Sequence, residues 1–148
     1  MLARLVICPL VALLLSNCGR HTSQSDEVPA DTKQLFAVMH EAERTWDHLA
    51  RDLASGRIWM AWRYSGERVQ FYGQPMFESH RNPMLVWIWK TPIWVHLQLK
   101  PSEFEDVQRE STQVDSFTIA VLGRVEHINW YTKHVTIRSL QSYVDAGQ

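Results

Sequence analysis

Cysteine is scarce in this sequence of 148 residues, which contains only Cys8 and Cys18. Two cysteines cannot form the disulfide framework on which small secreted scaffolds depend. An excess of one charge is also lacking, because 15 Lys and Arg residues oppose 16 Asp and Glu residues. The formal net charge of −1 disfavours a nucleic-acid binder that relies on a large basic surface. The length and the ordinary hydrophobic share of 45% indicate one globular domain.

The N-terminal apolar run is too short to cross a membrane. This run, Leu5–Leu15, has 11 residues, whereas a membrane-spanning helix needs about 20. Its length lies within the range of about 7–15 residues that is typical of the hydrophobic region of a signal peptide. Because Arg4 supplies a positive charge before the run, the start of the chain is predicted to be a signal peptide.

A short motif, Leu14-Leu15-Ser16-Asn17-Cys18, ends this run. It resembles a bacterial lipobox, in which Leu and two small residues precede a cysteine; Asn17 stands where the family usually has Gly, Ala or Ser. The resemblance implies that residues 1–17 are removed and that Cys18 is lipidated. It also implies a lipid anchor in the bacterial outer membrane facing the periplasm, because Gly19 rather than Asp follows the cysteine. The alternative is an ordinary secretory signal with an incidental cysteine.

The remaining chain divides into three segments. Residues 18–30 carry the lipidated cysteine and a polar stretch that predicts a flexible tether. Residues 31–56 predict an amphipathic helix, with Asp31 as N-cap and Gly56 just beyond the C-terminus. The apolar residues of this helix recur at steps of three and four: Leu35, Phe36, Met39, Ala42, Trp46, Leu49, Ala50 and Leu53. Residues 57–148 are assigned to a β domain, in which Arg57–Tyr64 fits either helical turns or a short strand.

The β domain is predicted to contain five strands and one short helix. Alternating patterns and apolar runs predict strands over residues 67–74, 84–89, 93–99, 116–128 and 134–140. A capping box with Ser102 as N-cap predicts a helix before the fourth strand, and Tyr143 is expected to close the structure. The predicted fold class is therefore mainly β with α: a five-stranded OB-fold-like Greek-key barrel preceded by an amphipathic N-terminal helix. Gly73 and Gly123 predict the bends or bulges that a small barrel needs.

Several structural residues recur at spacings typical of one family. They are Ala61, Tyr64, Gly66, Val69 and Gly73 after the leading helix, then Gly123-Arg124-Val125 and Val135-Thr136-Ile137 near the end. With these residues, the stretch 31–143 resembles the tRNA-anticodon-binding-like OB domains of exported bacterial proteins. The resemblance implies an OB-fold and no particular ligand.

Strands two and three usually form the binding face of an OB-fold. The candidate ligand-binding residues on that face are Tyr72, Trp87, Trp89, Trp94 and His96. Aromatic side chains on such a face stack on nucleobases or sugar rings. For any single Trp the alternative is a place in the core, because large aromatic residues are highly buried on average.

No catalytic motif stands out in the sequence. His40-Glu41 begins like a zinc-protease motif, but Arg44 stands where the second His is required. We therefore predict no catalytic residue, no metal site and no cofactor. The expected function is a non-catalytic binding module for a protein partner or an envelope glycan, attached to the membrane through Cys18. The alternatives are an envelope enzyme with an unrecognised site and an OB-fold nucleic-acid binder.

We expect the substitution Cys18→Ala to abolish metabolic labelling with a fatty acid and to release the protein from membranes, because no thioether can then form. Ser16→Ala is the matched control and should keep both properties, since Ala is a small residue that a lipobox accepts. Labelling and membrane fractionation of the two variants make the comparison. A Cys18→Ala protein that stays on membranes as fully as the wild type would contradict the anchor.

Overall fold

The computed structural model describes residues 25–76, 81–88, 91–113 and 117–145, so the predicted signal peptide, Cys18 and Trp89 lie outside it. Two α-helices, one 3₁₀ helix and five strands occupy these ranges. In chain order they are α1 (Thr32–Ala54), the 3₁₀ helix (Ile58–Arg63), β1 (Arg68–Pro75), β2 (Met84–Trp87), β3 (Trp94–Gln98), α2 (Pro101–Ser111), β4 (Thr118–Asn129) and β5 (His134–Asp145). The ambiguous stretch before β1 is thus helical. Neither α-helix of the described ranges is long and apolar enough to span a membrane.

The five strands form one sheet that closes in a ring in the order β1-β2-β3-β5-β4. Closure is made by β4, which pairs with β5 on one side and with β1 on the other. The pairing of β3 with β5 is parallel, and the other pairings are antiparallel. A parallel pair needs a long crossover connection, which α2 and β4 supply. The prediction of a five-stranded sheet with two helices is confirmed.

One side of every strand faces a single core. The core cluster contains six side chains that strand alternation predicts to point inward: Val69, Val95, Leu97, Phe117, Ile119 and Val121. Phe71 of β1 and Val135 and Ile137 of β5 share this cluster. Burial of a side chain of this size stabilises the fold by roughly 1.5–3 kcal/mol. Successive side chains of a strand point to opposite faces. Since these residues point into the core, the residues between them point outward.

Two glycines allow the sheet to curve tightly. A Cβ atom on Gly73 would lie 2.4 Å from Cγ1 of Val86, and one on Gly123 would lie 2.5 Å from Cγ2 of Ile137. The register of β4 against β5 also shifts between Leu122 and Gly123. Glycine is needed at both positions because neighbouring strands approach too closely for any side chain.

Helix α1 packs along β1 and adds to the same core. Trp46, Leu49 and Leu53 are buried, and the ring of Trp46 lies 4.9 Å from that of Phe71, centroid to centroid. Asp31 is the N-cap residue, as predicted, although its side chain makes no capping hydrogen bond. Just beyond the C-terminus, Gly56 has a φ of 71°, the left-handed conformation that glycine favours.

A hydrogen bond joins α1 to the turn before β1. The Tyr64 hydroxyl donates to the Asp52 carboxylate over 2.5 Å, and the Asp52 residue is buried. Burial, reinforced by this hydrogen bond, raises the pKa of Tyr64 to about 12. In the same turn Gly66 has a φ of 81°, and its backbone N–H donates to the Val125 carbonyl over 2.8 Å. Tyr64 and Gly66 thus have structural roles.

Three local predictions are wrong. Phe36 is 66% exposed, because the first turns of α1 are not packed against the core. The N-cap of α2 is Lys100 rather than Ser102, since the Glu103 carboxylate accepts the Lys100 backbone N–H over 3.0 Å and Pro101 suits the first helical position. Tyr143 does not close the sheet: it is 58% exposed, because β5 continues beside β4 as far as Asp145.

We expect Ile119→Asp to unfold the domain, because this side chain is fully buried in the core and an unpaired charge there is strongly destabilising. The neighbouring Thr118 is exposed, so Thr118→Asp should change the free energy of unfolding by less than about 0.5 kcal/mol. Denaturant unfolding of both variants gives the two values. Equal tolerance of the two substitutions would mean that the inward and outward sides of β4 are reversed.

Candidate functional site

The outer surface of the closed sheet carries one row of register partners that runs through all five strands. We call this set the tryptophan row: Gln74 of β1, Trp87 of β2, Trp94 of β3, His134 of β5 and Asn129 of β4. The two tryptophans are direct cross-strand partners and are half-buried. The row thus consists of two adjacent indole rings, an imidazole and an exposed amide at each end.

Strand alternation places these side chains outside. Met84, Val86 and Ile88 are buried, which turns Trp87 between them to the outer surface. In β3, Val95 and Leu97 are inward, so Trp94 and His96 point outward. Helix α1 lies along β1 and leaves both tryptophans half-exposed.

A pair of histidines adjoins the tryptophan row. Nε2 of His96 lies 2.6 Å from Nδ1 of His134, and the two ring centroids are 4.8 Å apart. Burial, together with the charge that His134 can carry, lowers the pKa of His96. His96 is therefore uncharged at neutral pH, and one ring donates a hydrogen bond to the other. Nδ1 of His96 and Nε2 of His134 take no part in this bond.

The structure brings together three of the five predicted binding residues. Trp87, Trp94 and His96 lie on adjacent strands, as β2 and β3 form the predicted hairpin. Tyr72 is 55% exposed. It lies two residues before Gln74 on the same, outer side of β1, and Gln74 is the register partner of Trp87. Tyr72 is therefore a diagonal neighbour at the edge of the row. Trp89, the fifth residue, lies outside the described residues.

Sequence reasoning missed His134, the first residue of the predicted strand 134–140. Its position before the inward Val135 was a usable signal, because alternation then turns His134 outward. Its contact with His96 was not predictable, since 38 residues separate the two histidines. Within the described ranges, no group of three or more His, Cys, Asp or Glu residues is placed to hold a metal ion.

A second outward row consists of three arginines. Arg68 of β1, Arg124 of β4 and Arg138 of β5 are successive register partners; we call them the arginine row. The Asp26 carboxylate lies 2.8 Å from Nε of Arg124 and 3.1 Å from Nη2 of Arg138. The hydrogen bond from Arg138 lowers the pKa of Asp26, and the positive charges of Arg124 and Arg138 lower it further. Desolvation of the carboxylate raises this pKa and offsets part of the effect. Glu126 also accepts a 2.8 Å hydrogen bond from Arg138.

The arginine row fixes the segment that precedes α1. Besides the ion pairs of Asp26, the Arg68 guanidinium donates to the backbone carbonyls of Ser25 and Glu27. Of the predicted tether, residues 18–24 lie outside the described residues, while Ser25, Asp26 and Glu27 contact the arginine row. The start of the described chain is thereby held on the sheet.

Comparisons of the chain with family models, with curated proteins and with solved structures find no match. Two adjacent indole rings present flat apolar surfaces, and the imidazoles and amides beside them donate and accept hydrogen bonds. This combination suits a ligand with flat apolar faces and polar edges.

We expect the pKa of His96 to lie below its ordinary value of 6.5, and NMR titration of the ring protons measures it. Because the folded-state pKa is depressed, His96 contributes stability that is complete above pH 6.5 and is lost as the pH falls through the lowered value. His134→Gln should raise the pKa of His96 only part of the way, since burial is the larger cause.

His40→Gln provides the control for this titration, because His40 is exposed on α1. It should leave the His96 curve unchanged. An identical His96 pKa in the wild type and in His134→Gln would contradict the coupling of the two rings.

Proposed function

We propose that this protein is a lipid-anchored, non-catalytic binding module of the bacterial cell envelope, built on an OB-fold. The proposal extends to the Greek-key barrel and to the exported tRNA-anticodon-binding-like domains that the sequence resembles. It is supported by the strand order β1-β2-β3-β5-β4 and by the helix between the third and fourth strands. The structural roles of Tyr64 and Gly66, two residues of the resemblance, also support it.

The tryptophan row is the observation that carries the binding proposal. Half-exposed tryptophans at the centre of an outer sheet surface are typical of interaction sites, where one face of the ring is apolar and the edge is polar. The ligand that fits best is an envelope glycan, because sugar rings have apolar faces for the indoles and hydroxyl groups for Gln74, His134 and Asn129. A protein partner is the second candidate, and the exposed Tyr72 beside the row favours it.

The electrostatics of the site favour an uncharged ligand over nucleic acid. His96 is neutral at physiological pH because its pKa is lowered. In the arginine row, Arg124 and Arg138 are ion-paired with Asp26 and Glu126, so the charge of the row is partly neutralised within the chain. Phosphate binding by a protein depends on cations that the ligand can reach.

The membrane attachment proposed here rests on the lipobox-like motif that ends at Cys18. In this arrangement Cys18 carries the lipid, the segment up to Ser25 connects it to the domain, and the arginine row fixes the end of that segment. Gly19 after the cysteine supports the outer membrane, with the domain facing the periplasm.

We expect Trp94→Ala to reduce binding to purified envelope glycans by about fivefold or more, as loss of one stacking ring costs roughly 1–3 kcal/mol. Its effect on the free energy of unfolding should stay near 1 kcal/mol, because the ring is only half-buried. Trp46→Ala, in the core, should instead cost about 3–5 kcal/mol. Thr118→Ala, at an exposed position of β4, serves as the surface control.

Co-sedimentation with peptidoglycan sacculi and binding to immobilised lipopolysaccharide measure the first effect, and thermal denaturation measures the second. Retention by both glycans that is equal for the wild type and Trp94→Ala would contradict the glycan proposal. Loss of a captured envelope protein in that variant alone would favour the protein partner. A core-sized loss of stability in Trp94→Ala would remove the support for a binding face.

A further inference from the structure

The 3₁₀ helix carries the two most exposed tryptophans of the described residues, Trp59 at 71% and Trp62 at 68%. A 3₁₀ helix has three residues per turn, so residues three apart lie on the same side. The two indoles therefore form one apolar surface. Tryptophan is highly buried on average, and such a contiguous exposed pair marks a contact site.

Two arginines flank this surface. Arg57 precedes the 3₁₀ helix and Arg63 is its last residue, and both are exposed. Both also line a cleft of about 460 Å³ beside the helix, together with His48. The cleft contains the carboxylates of Asp52 and Glu67 as well, but Asp52 already accepts the Tyr64 hydroxyl and lies 3.7 Å from Arg57. We call Trp59, Trp62, Arg57 and Arg63 the 3₁₀ patch.

The described chain begins within a bounded distance of this patch. Arg68, which binds the carbonyls of Ser25 and Glu27, follows Arg63 by five residues, so the Cα atoms of the two arginines are at most about 18 Å apart. Cys18 precedes Ser25 by seven residues, and an extended chain of that length spans at most about 25 Å. A lipid on Cys18 therefore keeps Ser25, at its contact with Arg68, within about 25 Å of the bilayer.

We propose that the 3₁₀ patch contacts the headgroup region of an anionic lipid bilayer and thereby orients the anchored domain. The inference rests on the proposed lipidation of Cys18. Tryptophan is enriched at the membrane–water interface because its ring is apolar and its N–H is polar. Arginine matches phosphate groups with its planar fork of donors. The patch combines both residue types within about 18 Å of Arg68, which binds the first described residues after the proposed anchor, and a lipid surface is therefore its occupant.

The test uses the full acylated chain, reconstituted in vesicles of phosphatidylethanolamine and phosphatidylglycerol whose acyl chains carry bromine near the headgroup. Bromine quenches only tryptophans at that depth. We expect quenching in the wild type and loss of most of it in Trp59→Ala/Trp62→Ala. The matched control, Trp87→Ala/Trp94→Ala, removes two half-exposed tryptophans on the sheet and should keep the quenching. Circular dichroism verifies that both double variants are folded.

Charge is tested with the same readout. Quenching should fall when brominated phosphatidylcholine replaces the anionic vesicles, and also in Arg63→Gln with anionic vesicles. Equal quenching in the zwitterionic and anionic vesicles would overturn the requirement for anionic lipid.

Flotation of the vesicles distinguishes the anchor from the patch. If the protein floats with the vesicles but shows no quenching, the anchor stands and the inference is overturned. The same conclusion follows if the protein floats and its quenching is unchanged in Trp59→Ala/Trp62→Ala. Protein that does not float overturns both. A change of oligomeric state in the double variant without any loss of quenching would assign the patch to contact between copies of the chain, and would also overturn the inference.

Discussion

Closure of the sheet through β4 is the constraint on which the rest of this structure depends. β4 pairs along most of its length with β5 and also with β1, so a single strand joins both ends of the ring. Such close pairing leaves no space for a side chain at Gly123, where a Cβ would meet Ile137. Once the ring is closed, each strand has one side inside and one side outside. The two-residue period then assigns every residue of the strands to the core or to the surface.

The same closure creates both outward rows. The tryptophan row joins five residues that lie on five different strands, and the arginine row joins residues of β1, β4 and β5. The two rows differ in chemistry, because one carries indole rings and the other carries guanidinium groups. The arginines are partly neutralised by Asp26 and hold the chain before α1, whereas the indoles remain half-exposed. The tryptophan row and the charged arginine row, which binds the chain before α1, thus share the outer surface of one small sheet.

Helix α1 covers the core only on the side of β1. Its buried residues pack on β1 through Trp46 and Phe71, and the hydrogen bond between Asp52 and Tyr64 holds the turn that leads into the sheet. Because the helix lies along β1, it leaves the outer surface of β2 and β3 accessible. The 3₁₀ helix that follows α1 is correspondingly a connecting element whose tryptophans are outside the core.

The sequence by itself determined the number and type of most elements and the side on which the strand residues lie. Alternation placed Val69, Val95 and Ile119 in the core and Trp94 and His96 outside, because burial on one face of a strand selects apolar residues at every second position. It also located α1, although exposure of Phe36 shows that an apolar periodicity does not define how far a helix is covered. The cap of α2 was misplaced because Ser102 and Lys100 both precede a glutamate at a suitable distance. The residue that distinguishes them is Pro101, which suits the first helical position after Lys100.

Only the tertiary structure decided which outward residues become neighbours. His96 meets His134 across 38 residues, and Asp26 meets Arg138 across 112. Trp59 and Trp62 are three residues apart and so share one side of the 3₁₀ helix, but the fold decided that this side is exposed. The physical reason is the same in each case. Periodicity is a property of a single strand or helix, whereas register between distant strands is set by closure of the whole sheet and by packing of the core.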